Sequence, residues 1–133
     1  MSITIDHVGI PAADPEASAR FLGQILGEGD TSPDGPDGEM VNLSIGHGAL
    51  TYFELPAHEP HHVAFRVTES VLVRAIEWLR GHDVPFGNDP DGPPNGQTSD
   101  PLGSLGRIYF RDPNGHLFEL FVPAPQAQRR VQP

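Results

Sequence analysis

The feature that most narrows the fold is an internal echo. Asp6-His7-Val8-Gly9-Ile10 and His61-His62-Val63-Ala64-Phe65 match in kind, and each opens a half that runs strand, helix, loop and then paired strands. The halves also close alike, with Phe53-Glu54-Leu55 answering Phe118-Glu119-Leu120. Such a duplication predicts two equivalent modules, about 3–55 and 61–122, within a single domain of 133 residues. It sets His7 and His62 at equivalent positions, 55 residues apart.

The clearest local signal is the last hairpin, Gly106 to Val122. Pro113 presets φ for its turn, and Asn114-Gly115 accepts the positive φ of a hairpin corner, so register is defined on both sides. Alternation then puts Leu117, Glu119 and Phe121 on one face and Phe118, Leu120 and Val122 on the other. A carboxylate in the middle of an apolar strand is costly to bury unless it is paired or bound to a metal. What Glu119 meets is therefore the central question.

The remaining elements follow in order. A strand is expected over 3–10, with Ile5, His7 and Gly9 on one face. Asp14-Pro15-Glu16 reads as a helix start, Phe21, Leu22, Ile25 and Leu26 as its apolar stripe, and Gly27 as its end. Residues 27–38, rich in Gly, Pro and Asp, read as a loop. Strands at 39–45 and 49–55 turn at Gly46-His47-Gly48, and the second puts Tyr52 and Glu54 on one face. A strand over 61–67 carries His62, Ala64 and Arg66 together. A helix over 70–80 has Leu72, Ala75, Ile76 and Leu79 at helical spacing. The Gly/Pro/Asp-rich stretch 88–106 is a lid or binding-loop candidate, and 123–133 reads as a loose tail.

Composition removes several function classes. The net charge is −10 and every basic residue is Arg, which argues against nucleic acid as a partner and excludes Lys-dependent Schiff-base or Walker-loop chemistry. There is no Cys, so any metal must bind through His, Asp or Glu. No apolar run is long enough to cross a bilayer and no signal-like segment opens the chain, so no membrane partner and a cytoplasmic location are expected.

If the modules pair into one curved mixed sheet, His7, Glu54, His62 and Glu119 line a single concavity. Two imidazoles with a carboxylate suit one divalent ion, Ni, Zn, Mn, Co or Fe, and leave positions open for substrate. On Ile5-Asp-His-Val-Gly-Ile10, His61-His-Val-Ala-Phe-Arg-Val67 and Tyr109-Phe-Arg-Asp-Pro-Asn-Gly-His-Leu-Phe-Glu-Leu120, the chain resembles the vicinal oxygen chelate superfamily. That group spans glyoxalase I, extradiol dioxygenases, fosfomycin-resistance enzymes, methylmalonyl-CoA epimerase and metal-free bleomycin-binding proteins. The resemblance covers about 3–122. It implies an α+β fold of two tandem βαβββ modules around a cleft, a metal held by His7, His62 and Glu119, and a homodimer.

Within that resemblance, Glu54 matches a fourth glutamate ligand of glyoxalase I that moves a proton. This implies a glyoxalase- or epimerase-like isomerisation of a small oxygenated substrate. Glu54 is either that catalytic base or a carboxylate hydrogen-bonded in the cleft. Tyr109 matches a phosphonate-contacting tyrosine of fosfomycin-resistance enzymes, and is either catalytic or a supporting aromatic. Those enzymes have threonine at Gly9 and use a lysine that this chain lacks. Arg66 is either a substrate-binding cation or a structural ion-pair partner. Tyr52 is a second candidate for substrate binding. Dioxygenase, fosfomycin-type addition and a metal-free binding module are the alternatives.

Overall fold

The computed structural model describes residues 2–27 and 29–125. Most of the expected tail lies outside them. The fold is α+β, with elements β1 (His7–Ala12), α1 (Pro15–Leu26), β2 (Thr31–Asp34), β3 (Met40–Ile45), β4 (Gly48–Glu54), β5 (His62–Arg66), α2 (Glu69–Gly81), β6 (Phe86–Gly87), β7 (Gly106–Arg111) and β8 (Leu117–Val122). The chain divides into two compact units. One runs to His61 and includes Asp112–Gly115; the other holds the rest.

Unit one is a four-stranded sheet of order β1-β4-β3-β2, in which β1 runs parallel to β4 and the other pairs are antiparallel. Helix α1 starts where the sequence predicts. The Asp14 carboxylate accepts the Ala17 amide at 3.2 Å, Pro15 occupies the first turn, and Gly27 ends the helix at φ 76°. Its Leu22 and Ile25 are wholly buried, as are Ile10, Leu43 and Tyr52 of the sheet. Each such side chain contributes roughly 1.5–3 kcal/mol of transfer free energy.

Unit two repeats the plan with sheet order β5-β8-β7-β6, and α2 packs on β8. Thr68 caps α2 through its hydroxyl, which accepts the Val71 amide. Beneath the helix, Leu72, Ala75 and Leu79 are buried, as are Ile108, Phe110, Phe118 and Leu120; the Phe110 and Phe118 rings stand 6.0 Å apart.

The expected α+β fold of two tandem modules is present, with one four-stranded mixed sheet in each. Several local expectations are corrected. Strand β1 begins at His7, not at residue 3. The expected loop at 27–38 contains β2, an exposed edge strand that tolerates Pro33 because one side has no ladder to feed.

The equivalence of the modules is also three residues out. Ladder register sets His7 beside Ala49 and His62 beside Leu117, so Thr51 corresponds to Glu119 and Glu54 to Val122. An odd slip exchanges the two faces of a strand.

The Asp112–Gly115 turn belongs to unit one. The Asn114 carboxamide oxygen accepts the Ala13 amide at 2.8 Å, and its nitrogen donates to the Ser18 hydroxyl. The Asp112 carboxylate accepts the Asn114 amide at 2.8 Å, and Gly115 supplies φ 85°. The most recognisable turn of the sequence thus doubles as a brace at the start of α1.

Candidate active site

In unit two, the sheet face away from α2 carries His62, Ala64 and Arg66 on β5, Leu117, Glu119 and Phe121 on β8, and Arg107 and Tyr109 on β7. Parallel and antiparallel registers agree on this set. Glu119 is buried, at 7% exposure, and both of its oxygens are engaged. Oε1 lies 3.1 Å from His62 Nε2, and Oε2 accepts from Arg107.

The other His62 nitrogen, Nδ1, donates to the Leu117 carbonyl at 2.9 Å, because a carbonyl can only accept. Nε2 then either donates a proton to the carboxylate, as an imidazolium would, or in the neutral ring aims a lone pair at a carboxylate oxygen. Two acceptors at that separation need a proton or a cation between them. Ligand atoms about 2.1 Å from a common ion would stand about 3.0 Å apart in octahedral and about 3.4 Å apart in tetrahedral coordination, a range that spans the observed separation. A backbone carbonyl orienting the far nitrogen is also the usual outer support of a metal-bound imidazole. The donor pair fits a divalent ion.

Arg107 is the member that sequence reasoning missed. Its guanidinium lies between two carboxylates, with Glu119 on one side and Asp100 Oδ2 at 3.0 Å from Nε, and its charge sits over the Phe121 ring at 4.6 Å. The Nε approach to Asp100 is an ion pair without hydrogen-bond alignment. Burial works against the Arg107 charge, but the hydrogen bond to Glu119 and the attraction of both carboxylates prevail and raise its pKa. Strand alternation two residues before Tyr109 could have found it.

Asp100 is tightly held. Burial would raise its pKa, yet donation from the Ser104 side chain and the Leu102 and Ser104 amides, with the Arg107 charge beside it, lowers it to about 2. Tyr109 stands beside Glu119 in the ladder and stacks near His62, with ring centroids 6.4 Å apart. Burial, then the Glu119 charge, raises its pKa, so its hydroxyl stays protonated at neutral pH. It borders two hollows, one of about 260 Å³ with Gly87, Pro94 and Leu117, the other about 390 Å³ with Asn88, Asn95, Leu102 and Arg107. Arg66 is exposed on the His62 face, its charge 5.9 Å from the Phe121 ring.

In unit one, His7 lies on the sheet face away from α1, with its Nδ1 2.8 Å from the Asp6 carboxylate. A polar hollow of about 300 Å³ surrounds it, lined by Asp34, Asn42, His47 and Thr51. Among the described residues, no three His, Asp or Glu side chains come together as a metal-ligand group. His62 and Glu119 are brought together; His7 belongs to the other unit.

Two sequence expectations fail here. Tyr52 is wholly buried under α1, paired in register with the equally buried Ile10, so it presents nothing to a substrate. Burial, with the Asp112 charge adding, raises its pKa. Glu54 pairs with Ala12 and shares the Tyr52 face, opposite to His7, where it is exposed at the strand end. The β4 residue beside His7 is Ala49, which can neither ligate nor accept a proton.

The family model for the Glyoxalase/Bleomycin resistance protein/Dioxygenase superfamily matches residues 4–120. The chain belongs to that superfamily. Among its relatives, the metallothiol transferase FosB of Staphylococcus epidermidis is 30% identical over 128 residues, covering 90% of this chain and 82% of FosB. Two solved oxidases share the superfamily fold closely. ChaP-H2 has a TM-score of 0.81 at 29% identity, covering 95% of this chain and 98% of its own; ChaP-H1 has 0.82 at 27%, covering 91% and 96%. No helix among the described residues is long and apolar enough to cross a membrane.

Proposed function

We propose that this superfamily member is a divalent-metal enzyme acting on a small oxygenated substrate, with His62 Nε2 and Glu119 Oε1 as two of the metal's ligands. The observation that carries the reading is the 3.1 Å approach of His62 Nε2 to Glu119 Oε1, in a site where the Leu117 carbonyl already orients the other imidazole nitrogen. A bound divalent ion would supply Lewis-acid polarisation of a substrate oxygen.

The chain's own residues supply the rest. Tyr109 keeps its proton and donates it in a hydrogen bond to a substrate oxygen. Leu117 and Phe121 flank the ligand pair with apolar surface, and Arg66 orients an acidic or carbonyl group. The reaction read first is oxidation of a hydroxylated substrate with dioxygen as electron acceptor. The likeness to two oxidases supports it, and so does the loss of Glu54 as the base that isomerisation would need. Fosfomycin-type addition is the second reading, on the strength of the FosB identity. Against it, Arg107 is already neutralised by two carboxylates.

A homodimer also belongs to this reading. β1 and β5 end their sheets with one edge unpaired, and Ile3 and Ile5 beside β1 are 80% and 75% exposed. A second copy would cover them.

The test is elemental mass spectrometry of the dialysed protein after exposure to Fe, Mn, Ni, Co and Zn. Oxygen uptake with hydroquinones and catechols, and fosfomycin turnover with thiols, would be assayed in parallel. Near-stoichiometric metal with metal-dependent oxygen uptake is the expected result. Protein that stays empty in every metal would replace the enzyme with a metal-free binding module.

A further inference from the structure

Only Oε1 of Glu119 faces His62, and the reason is that Arg107 holds Oε2. Its guanidinium is fixed from three sides, by Glu119 Oε2, by Asp100 at 3.0 Å and by the Phe121 ring, and its side chain is only 14% exposed. The two carboxylates lie on different segments, one on β8 and the other in the 99–105 loop, whose Leu102 and Ser104 amides hold Asp100 in place. A single cation ties them. The planar fork of Arg can face two carboxylates at once, which a Lys ammonium does with less constraint.

We propose that Arg107 is a positioning residue that confines Glu119 to one-oxygen ligation and so keeps a coordination position on the metal open for substrate. The inference rests on the metal reading above. A glutamate with both oxygens free can close on a divalent ion as a two-oxygen ligand. Here Oε2 is already bound, and Oε1 alone faces His62. Asp100 is the counter-anchor that keeps the guanidinium from following Glu119 toward the ion. A structural ion pair would stabilise the hairpin equally well, but would not set how many positions remain on the metal.

The experiment loads the chain with Mn(II) alone and counts rapidly exchanging waters on the ion by field-dependent water-proton relaxation. In R107M, Glu119 regains Oε2, and about one exchangeable water is lost as the carboxylate closes on the ion; R107K restores the wild-type count. Removing one member of a buried ion pair leaves an uncompensated charge and threatens folding, so R107M/D100N, which removes cation and counter-anchor together, is measured as well. It too loses about one water. Equal water counts in wild type and in these variants would reduce Arg107 to a structural ion pair. Equal Mn(II) uptake by wild type and H62A, or uptake by neither, would instead overturn the metal reading and this inference with it.

Discussion

Units one and two share strand order, ladder direction and a histidine at the same place, yet their faces away from the helix have diverged. Where unit two has Glu119 between His62 and Arg107, unit one has Thr51, whose hydroxyl donates to Asn42 at 2.7 Å. The strand position beside the first-strand histidine's ladder partner thus carries a carboxylate in one copy and a neutral hydroxyl in the other. A βαβββ module places a residue beside its first-strand histidine whatever that residue is. The ligand chemistry depends on which side chain occupies the slot, and this chain spends its acidic slot on one side only.

The largest effect that would test this asymmetry is at the two equivalent positions. Glu119→Ala should lower metal affinity more than about a hundredfold, beyond the ~10–100-fold that outer partners cost. Thr51→Ala should leave it unchanged. Metal competition titrations check both. A comparable loss from Thr51→Ala would mean that unit one also contributes a carboxylate-like function, and the comparison would break.

That asymmetry also marks where sequence reading stopped. The helix cap at Asp14 and the turn at Pro113-Asn114-Gly115 are local chemistry, and strand alternation from that turn puts Glu119 on one face with Leu117 and Phe121; the β5–β8 ladder makes that face His62's. The correspondence of Glu54 with Glu119 rested on matching triplets, Phe-Glu-Leu in each, and a triplet carries no register. Only the ladder, which pairs Ala12 with Glu54 and Ala64 with Glu119, decides which face each carboxylate takes. Arg107 falls within the readable strand β7, but its pairing with Asp100 depends on how the 99–105 loop folds back, and no periodicity announces that.

A smaller effect sharpens the comparison at the brace. Asn114→Ala removes the hydrogen bonds to Ala13 and Ser18 and should cost about 1–2 kcal/mol, read as a lower urea midpoint with metal binding retained. Loss of metal binding at unchanged stability would show that the turn serves the site rather than unit one.

The smallest concerns Asp100. Its carboxyl titrates near 2 in the folded chain against an ordinary 3.8, so its contribution to stability is complete above pH 3.8 and is lost as pH falls through about 2. Asp100→Asn should therefore lower the urea midpoint at pH 5 and converge with wild type near pH 2. A constant difference across that range would mean that packing, not charge, makes the loop's contribution.

The Asp112–Gly115 brace has a further consequence for the order in which the protein can be made. Unit one's own strands are all synthesised by residue 54, yet the group that holds the Ala13 amide and the Ser18 hydroxyl emerges only at Asn114. On the ribosome, the first module waits with an incomplete helix entrance until nearly the whole second module has followed. Separate expression of the two halves would split unit one and leave its helix start without that brace. Natural shuffling of single modules would carry the same cost, which couples the inheritance of the two copies even though each has its own sheet and core.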